Sequence, residues 1–323
     1  MHPGLIQTAR SAATIAGLAP NCLYLFDDEA VQPIDGVKDW RSFIGAPQEA
    51  EKYQWTKLDQ ESSKRTLATV NFSSGTTGLP KGVMITHRCL IANMEQTNFM
   101  RHLGKNLDDK PQERWIGLLP LYHAYGQLYA CLLATKLCTP VFIMKAFVFE
   151  EFLRVIETHR ITHLHLVPPI LIMLGKRPET AQYDLSSVTN LGSGAAPLSF
   201  ELQNDCAKRF KLNVSQGWGM TELTCTGLGH PGVVDDPTGS VGVLMPNCEA
   251  KLLDENSQEV GPNGRGELYF RGPNVSPGYW RNEEATKQSM LPGGWLRTGD
   301  VATYDERGWF WIVDRLKVRR FHP

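Results

Sequence analysis

The run Ser73-Ser-Gly-Thr-Thr-Gly-Leu-Pro-Lys-Gly82 holds the densest cluster of chemically useful residues in the chain. Four hydroxyls (Ser73, Ser74, Thr76 and Thr77) can donate hydrogen bonds to oxyanions. Gly75 and Gly78 let the backbone turn tightly and bring N–H groups close to a ligand, and Lys81 adds a full positive charge. A loop that combines all three is a phosphate cradle. It is not a Walker A loop, because the GxxxxGK[ST] spacing does not fit. A flexible Ser/Gly/Thr linker is the plainer alternative. It is disfavoured because a strand pattern feeds the loop and a helix pattern follows it.

Other segments carry candidate groups that have plain structural explanations when taken alone. Gly217-Trp-Gly-Met-Thr-Glu222 sets a hydroxyl, Thr221, beside a carboxylate, Glu222; by itself it reads as a core aromatic next to a loop carboxylate. Asp300 follows an apparent turn, Leu296-Arg-Thr-Gly299, as a loop cap would, and Arg315 reads as a solvated charge. His123 lies in the run Pro120-Leu-Tyr-His-Ala-Tyr-Gly126, where a histidine is usually a satisfied core residue. His163 and His165 share one face of a strand, but no Cys or carboxylate stands at ligand spacing, so a metal site is not expected there.

The elements that must position these groups follow from periodicity. The first twenty residues read as helix, broken by Gly17 and Pro20. A short strand spans 22–26, and residues 27–64 are polar and irregular. The pattern predicts a strand over 67–72 and a helix from about His87 with Thr86 as N-cap. Phe149, Phe152, Leu153 and Ile156 mark one face of a helix. Strands over 161–167, 188–191 and 214–216 alternate with helices, the last of them over 198–210. This rhythm predicts an α/β fold with a parallel sheet covered by helices. After about Gly239, short runs at 250–253, 267–270 and 309–313, separated by glycine turns, predict a smaller antiparallel β subdomain. The expected organisation is an α/β part over 1–238, a β-rich part over 239–313 and a hinge beginning at 314–323.

Composition narrows the function classes. The chain has 323 residues, 42% of them hydrophobic, which is ample for a large core and excludes wholesale disorder. With Lys+Arg 33 against Asp+Glu 34, the formal net charge is −1, without the basic excess of a nucleic-acid binder. Seven cysteines without a CxxC pair suggest neither a disulfide framework nor a zinc knuckle, so a reducing compartment is expected. No secretory signal pattern or C-terminal peroxisomal tripeptide appears, which points to the cytoplasm. Residues 117–135 lack charged side chains and approach the length of a membrane helix, but Pro120, His123, Gly126 and Gln127 interrupt them. They read as a buried segment rather than a membrane span.

FSSGTTGLPKG (72–82), LPLYHAYG (119–126), GSGAAPL (192–198), QGWGMTE (216–222), WLRTGD (295–300) and DRLK (314–317) occur in one order. In that order the chain resembles the adenylate-forming superfamily of acyl-CoA ligases, luciferases and peptide-synthetase adenylation domains, most closely the 4-coumarate–CoA ligase branch. The resemblance implies ATP-dependent activation of a carboxylic acid as acyl-AMP, then transfer to the thiol of coenzyme A. It implies that Ser73, Ser74, Gly75, Thr76, Thr77, Gly78 and Lys81 bind the ATP phosphates. Gly194, Ala195, Ala196, Trp218 and Gly219 would surround the adenine, with Trp218 standing where the family usually has Tyr. Asp300 would accept the ribose hydroxyls and Arg315 would touch the nucleotide. Thr221 would lie near the α-phosphate and Glu222 would hold Mg²⁺, a hard cation suited to carboxylate and phosphate oxygens. His123, Tyr125, Gly192, Gly217 and Met220 would surround the acyl group. Lys81, His123, Thr221 and Glu222 form the implied catalytic set, and Lys317 the hinge.

The acyl block lacks the Asp that amino-acid-activating domains use, so the resemblance favours a plain carboxylic acid. It also implies that the family extends beyond both ends of this chain, with a C-terminal lid after Lys317. The expectation is therefore a truncated core with impaired ligase activity. The alternative is a non-catalytic remnant that binds ATP or AMP.

Overall fold

Between Trp115 and Gln216 the chain alternates apolar strands with amphipathic helices. The computed structural model, which describes residues 1–73, 79–105, 112–232 and 234–316, folds this stretch into a five-stranded parallel sheet. From edge to edge the strands are Val141–Ile143, Trp115–Gly117, His163–Leu166, Asn190–Ser193 and Val214–Gln216. The helix Phe149–His159 buries the four apolar residues of its expected face and carries Glu150 and Glu151 in its first turn, where the helix dipole favours them. It ends at Arg160, which adopts a left-handed φ of 50°. Phe152, Leu153 and Ile156 are fully buried, each contributing about 1.5–3 kcal/mol of transfer free energy. They share one core with Leu164, Leu166, Leu191 and Val214 from the strands and with Leu171, Leu174 and Cys206 from the helices Pro168–Lys176 and Phe200–Phe210. The strand order reverses between Trp115–Gly117 and His163–Leu166, the kind of place where an open parallel sheet offers a crevice at its carboxyl ends.

The chain divides into two bodies, Met1–Lys57 and Leu58–Pro323. In the smaller one the helix Ile6–Ile15 precedes a two-residue parallel ladder, Tyr24–Leu25 with Lys38–Asp39, shorter than the expected strand over 22–26. The 27–64 stretch is less irregular than its composition suggests, since it also forms short helices at Pro47–Lys52 and Gln60–Arg65.

In the larger body the segment around 67–102 departs from the expected strand–loop–helix. Leu67–Ser73 pairs antiparallel with a second strand, Lys81–Thr86, before the helix His87–His102 begins at its Thr86 cap. Val83 and Ile85 are fully buried at alternate positions, a period of two inside a segment whose glycine-rich neighbour drew the reading toward a loop. With Gly278–Tyr279, these strands form a separate three-stranded antiparallel sheet. The stretch 117–135 is also resolved: a tight turn leads into the helical run Ala124–Lys136, whose middle, Gln127–Leu133, is wound as a π-helix. No helix among the described residues is long and apolar enough to cross a membrane.

The β-rich region is a six-stranded antiparallel sheet around Gly266–Arg271 and Trp295–Tyr304. Leu268 and Phe270 alternate inward, and Trp218, Leu223 and Leu228 from before residue 239 join the same core. The expected turn at Leu296–Gly299 instead lies within the first half of the ten-residue strand Trp295–Tyr304. Gly299, at φ 76°, accompanies a shift in pairing between Glu267 and Tyr269, so the glycine marks a bulge and not a chain reversal.

Candidate active site

A cavity of about 780 Å³ runs along His163–Leu166, Asn190–Ser193 and Val214–Gln216, and all its lining residues lie in the larger body. Ser73, Lys81, Thr221 and Glu222 line it, although Lys81 comes from the 67–86 hairpin and Glu222 from the turn after Trp218–Gly219. That turn is tightly built: a Cβ at Gly219 would lie 1.7 Å from the Cys225 carbonyl oxygen, so only glycine fits. Glu222 is buried, and its Oε1 accepts a hydrogen bond from the Tyr279 hydroxyl at 2.7 Å. The Lys81 ammonium lies 5.1 Å from the centre of the Tyr279 ring and makes no ion pair among the described residues. One wall therefore carries an uncompensated cation and a carboxylate, bridged by a neutral phenol.

Gly192, Gly194, Ala195, Gly217, Gly219 and Met220 line the cavity as well; Ala196 does not. Trp218 is buried, and its Nε1 donates to Asp300 Oδ2 at 2.9 Å while the ring rests against Phe270. Asp300 pairs across the sheet with Arg315, whose Nε lies 3.2 Å from Oδ1 as a charge contact without hydrogen-bond alignment. Trp218 and Arg315 reach the cavity wall; Asp300, 5% exposed, sits one layer back. Ser74, Gly75, Thr76, Thr77, Gly78 and Lys317 lie outside the described residues.

The remaining wall is aromatic. His123 caps the helical run at Ala124, its Nδ1 accepting from the Tyr125 N–H at 3.2 Å, and desolvation lowers its pKa. Burial raises the Tyr125 phenol well above its usual value and pushes Tyr129 up to about 12. His165 lies 4.2 Å from the Tyr129 ring, ring centre to ring centre, with its Nε2 unpartnered. Burial, with the Arg101 charge adding to it, holds His165 well below the ordinary histidine value. Burial also brings His163 down to about 4, despite Glu113 Oε1 at 3.5 Å from its Nε2. Glu113 is tied to Arg101 and to the Trp115 indole, each at 2.7 Å. No cluster of three or more His, Cys, Asp or Glu is poised to hold a metal among the described residues.

Sequence reasoning did not single out Tyr279, Tyr129 or Ser193, all on the cavity wall. The close fit at Gly278, with φ 143° and a Cβ there meeting Thr286 at 2.5 Å, is a property of the folded chain that the sequence does not display.

The profile of the AMP-binding enzyme family matches residues 20–280. The chain is 39% identical over 258 residues to a probable 4-coumarate–CoA ligase 2 of Dictyostelium discoideum, covering 79% of this chain and 46% of that protein. It is also 39% identical over 254 residues to a luciferin 4-monooxygenase of Photuris pensylvanica, covering 78% and 46%. The chain thus spans about half the length of the curated relatives it matches. Its fold is similar to that of o-succinylbenzoate coenzyme A synthetase of Bacillus subtilis, solved in complex with ATP and magnesium ion. The TM-score is 0.66 at 27% identity, over 83% of this chain and 54% of that one. On this match of sequence and fold, the chain belongs to the AMP-binding enzyme family.

Proposed function

We propose that the cavity binds Mg·ATP and a carboxylic acid and joins them as acyl-AMP with release of pyrophosphate, coenzyme A being the thiol that then displaces AMP. The observation that carries this reading is the wall on which Lys81, with no ion pair among the described residues, stands beside the buried Glu222. Attack of a carboxylate on an α-phosphate brings two anions together, so the protein must neutralise and orient them. Lys81 supplies the charge, and Thr221 and Ser73 supply hydroxyls at the same wall. A single carboxylate suits a Mg²⁺ that arrives on the triphosphate and keeps much of its water shell, since that ion rarely uses an all-protein cage. Glu222 is the residue that would hold it. When bound, the ion would neutralise phosphate charge.

Trp218 and Arg315 border the region proposed for the nucleoside, with Asp300 fixing both of them. Tyr125, Tyr129, Gly192 and Met220 form a neutral aromatic wall for the acyl part, which supports a plain carboxylic acid. The relatives named as CoA ligases, and the neighbour solved with ATP and magnesium, support the same reading. The test is calorimetry of the purified chain with Mg·ATP, followed by ATP–pyrophosphate exchange over a panel of aromatic and fatty acids. Binding, and exchange that depends on the acid, are expected; absence of any Mg·ATP binding overturns the reading.

A further inference from the structure

Tyr279 stands between the two charged groups of the cavity wall. Its hydroxyl donates to Glu222 Oε1 at 2.7 Å, and its ring faces the Lys81 ammonium at 5.1 Å. Its backbone is stitched to both sides. Gly278–Tyr279 pairs with Val83–Met84, two residues beyond Lys81, and the Trp280 N–H donates to the Gly82 carbonyl at 2.7 Å. On the other side the Ser276 N–H donates to the Glu222 carbonyl at 2.8 Å, and the Thr224 hydroxyl donates to the Asn274 carbonyl at 2.8 Å. The Tyr279 N–H is fixed by Thr286 Oγ1 at 3.0 Å, so the phenol has little freedom to move.

An ammonium and a carboxylate sharing a partly desolvated wall attract strongly. If they paired directly, each would neutralise the other before any ligand arrived. No ion pair joins Lys81 to Glu222 among the described residues. A phenol can satisfy both without adding charge: its hydroxyl takes one carboxylate oxygen, and its ring face attracts the cation.

We infer that Tyr279 is a positioning residue that holds Lys81 and Glu222 apart, leaving the ammonium for phosphate and the second Glu222 oxygen for the metal that accompanies it. This rests on the Mg·ATP reading above. The test compares the wild type with Tyr279→Phe and Tyr279→Leu by calorimetry, titrating ATP with Mg²⁺ and ATP in EDTA, with thermal melts alongside. Phe keeps the ring and removes only the donor. It should leave metal-free ATP affinity within about twofold and lower Mg·ATP affinity about tenfold, the scale of one hydrogen bond to a charged group. Leu, if it folds, should lower both.

In ATP–pyrophosphate exchange, Tyr279→Phe should raise the Mg²⁺ requirement while the KM for the acid stays unchanged. Two results would overturn the inference. One is a Phe variant indistinguishable from wild type; the other is a Phe variant that loses both affinities equally along with its melting temperature, which marks packing alone. A wild type that binds no Mg·ATP would instead overturn the function reading, and this inference with it.

Discussion

In the proposed reading, phosphate binding depends most directly on Lys81, because its charge has no carboxylate partner among the described residues. Lys81→Ala should weaken Mg·ATP binding by about 10- to 100-fold, as expected for losing one charged hydrogen bond. Isothermal calorimetry checks this, and unchanged affinity removes Lys81 from the phosphate site. Trp218 makes a different kind of contribution. Its indole N–H satisfies a buried carboxylate, so Trp218→Phe withdraws a donor from Asp300. The expected cost is about 1–3 kcal/mol. For a body of this size that is a fall of roughly 2–4 °C in melting temperature per kcal/mol. A melt identical to wild type would show that the indole–carboxylate bond contributes nothing.

At the scale of elements, the site depends on short strands and forced glycines more than on long helices. The Trp218–Gly219 strand meets Thr226–Gly229 with a register shift at the position where Gly219 faces the Cys225 carbonyl. Gly219→Ala puts a methyl where backbone already stands, so the turn carrying Thr221 and Glu222 must move. The expected outcome is loss of Mg·ATP binding in calorimetry, with a melting temperature lowered by several degrees, in keeping with overpacking costs of about 1–3 kcal/mol. Retained binding would mean that Glu222 is not held by this turn. The 67–86 hairpin has the same logic: its strands bring Ser73 and Lys81 to the cavity because Val83 and Ile85 anchor them in a separate small core with Tyr279.

The whole molecule carries buried neutral histidines, and these set its acid stability. His163 has a folded pKa of about 4 against about 6.5 unfolded, and His165 is shifted in the same direction. Below pH 6.5 the unfolded chain takes up protons that the folded chain refuses. Stability is therefore fully present above pH 6.5 and falls as pH drops toward 4, by up to about 1.4 kcal/mol per pH unit for each such group. Glu113, whose pKa is lowered, contributes fully above the ordinary glutamate value and loses that contribution as pH falls from there through its folded value. Denaturant unfolding at pH 7 and pH 5 should show the loss, and His163→Gln should reduce the slope. Equal stability at the two pH values would contradict the burial of these rings.

The sequence by itself determined the residue types gathered in 73–82, the parallel α/β rhythm and the ordered motifs that mark the family. These depend on neighbours a few residues apart: hydroxyls beside glycines in 73–82, and apolar residues at helical spacing in 149–156. The same locality made the Lys81–Thr86 strand hard to see and turned the Gly299 bulge into an apparent reversal, because a glycine breaks a local pattern without saying which partner strand waits across from it. Tertiary structure decided who touches whom. Tyr279 reaches Glu222 across 57 positions and Trp218 reaches Asp300 across 82. No periodicity encodes such partners, because the backbone path that joins them is set by the cores of two different sheets. The side chains on the cavity wall therefore share a site through packing, while their chemistry was already present in the residue types.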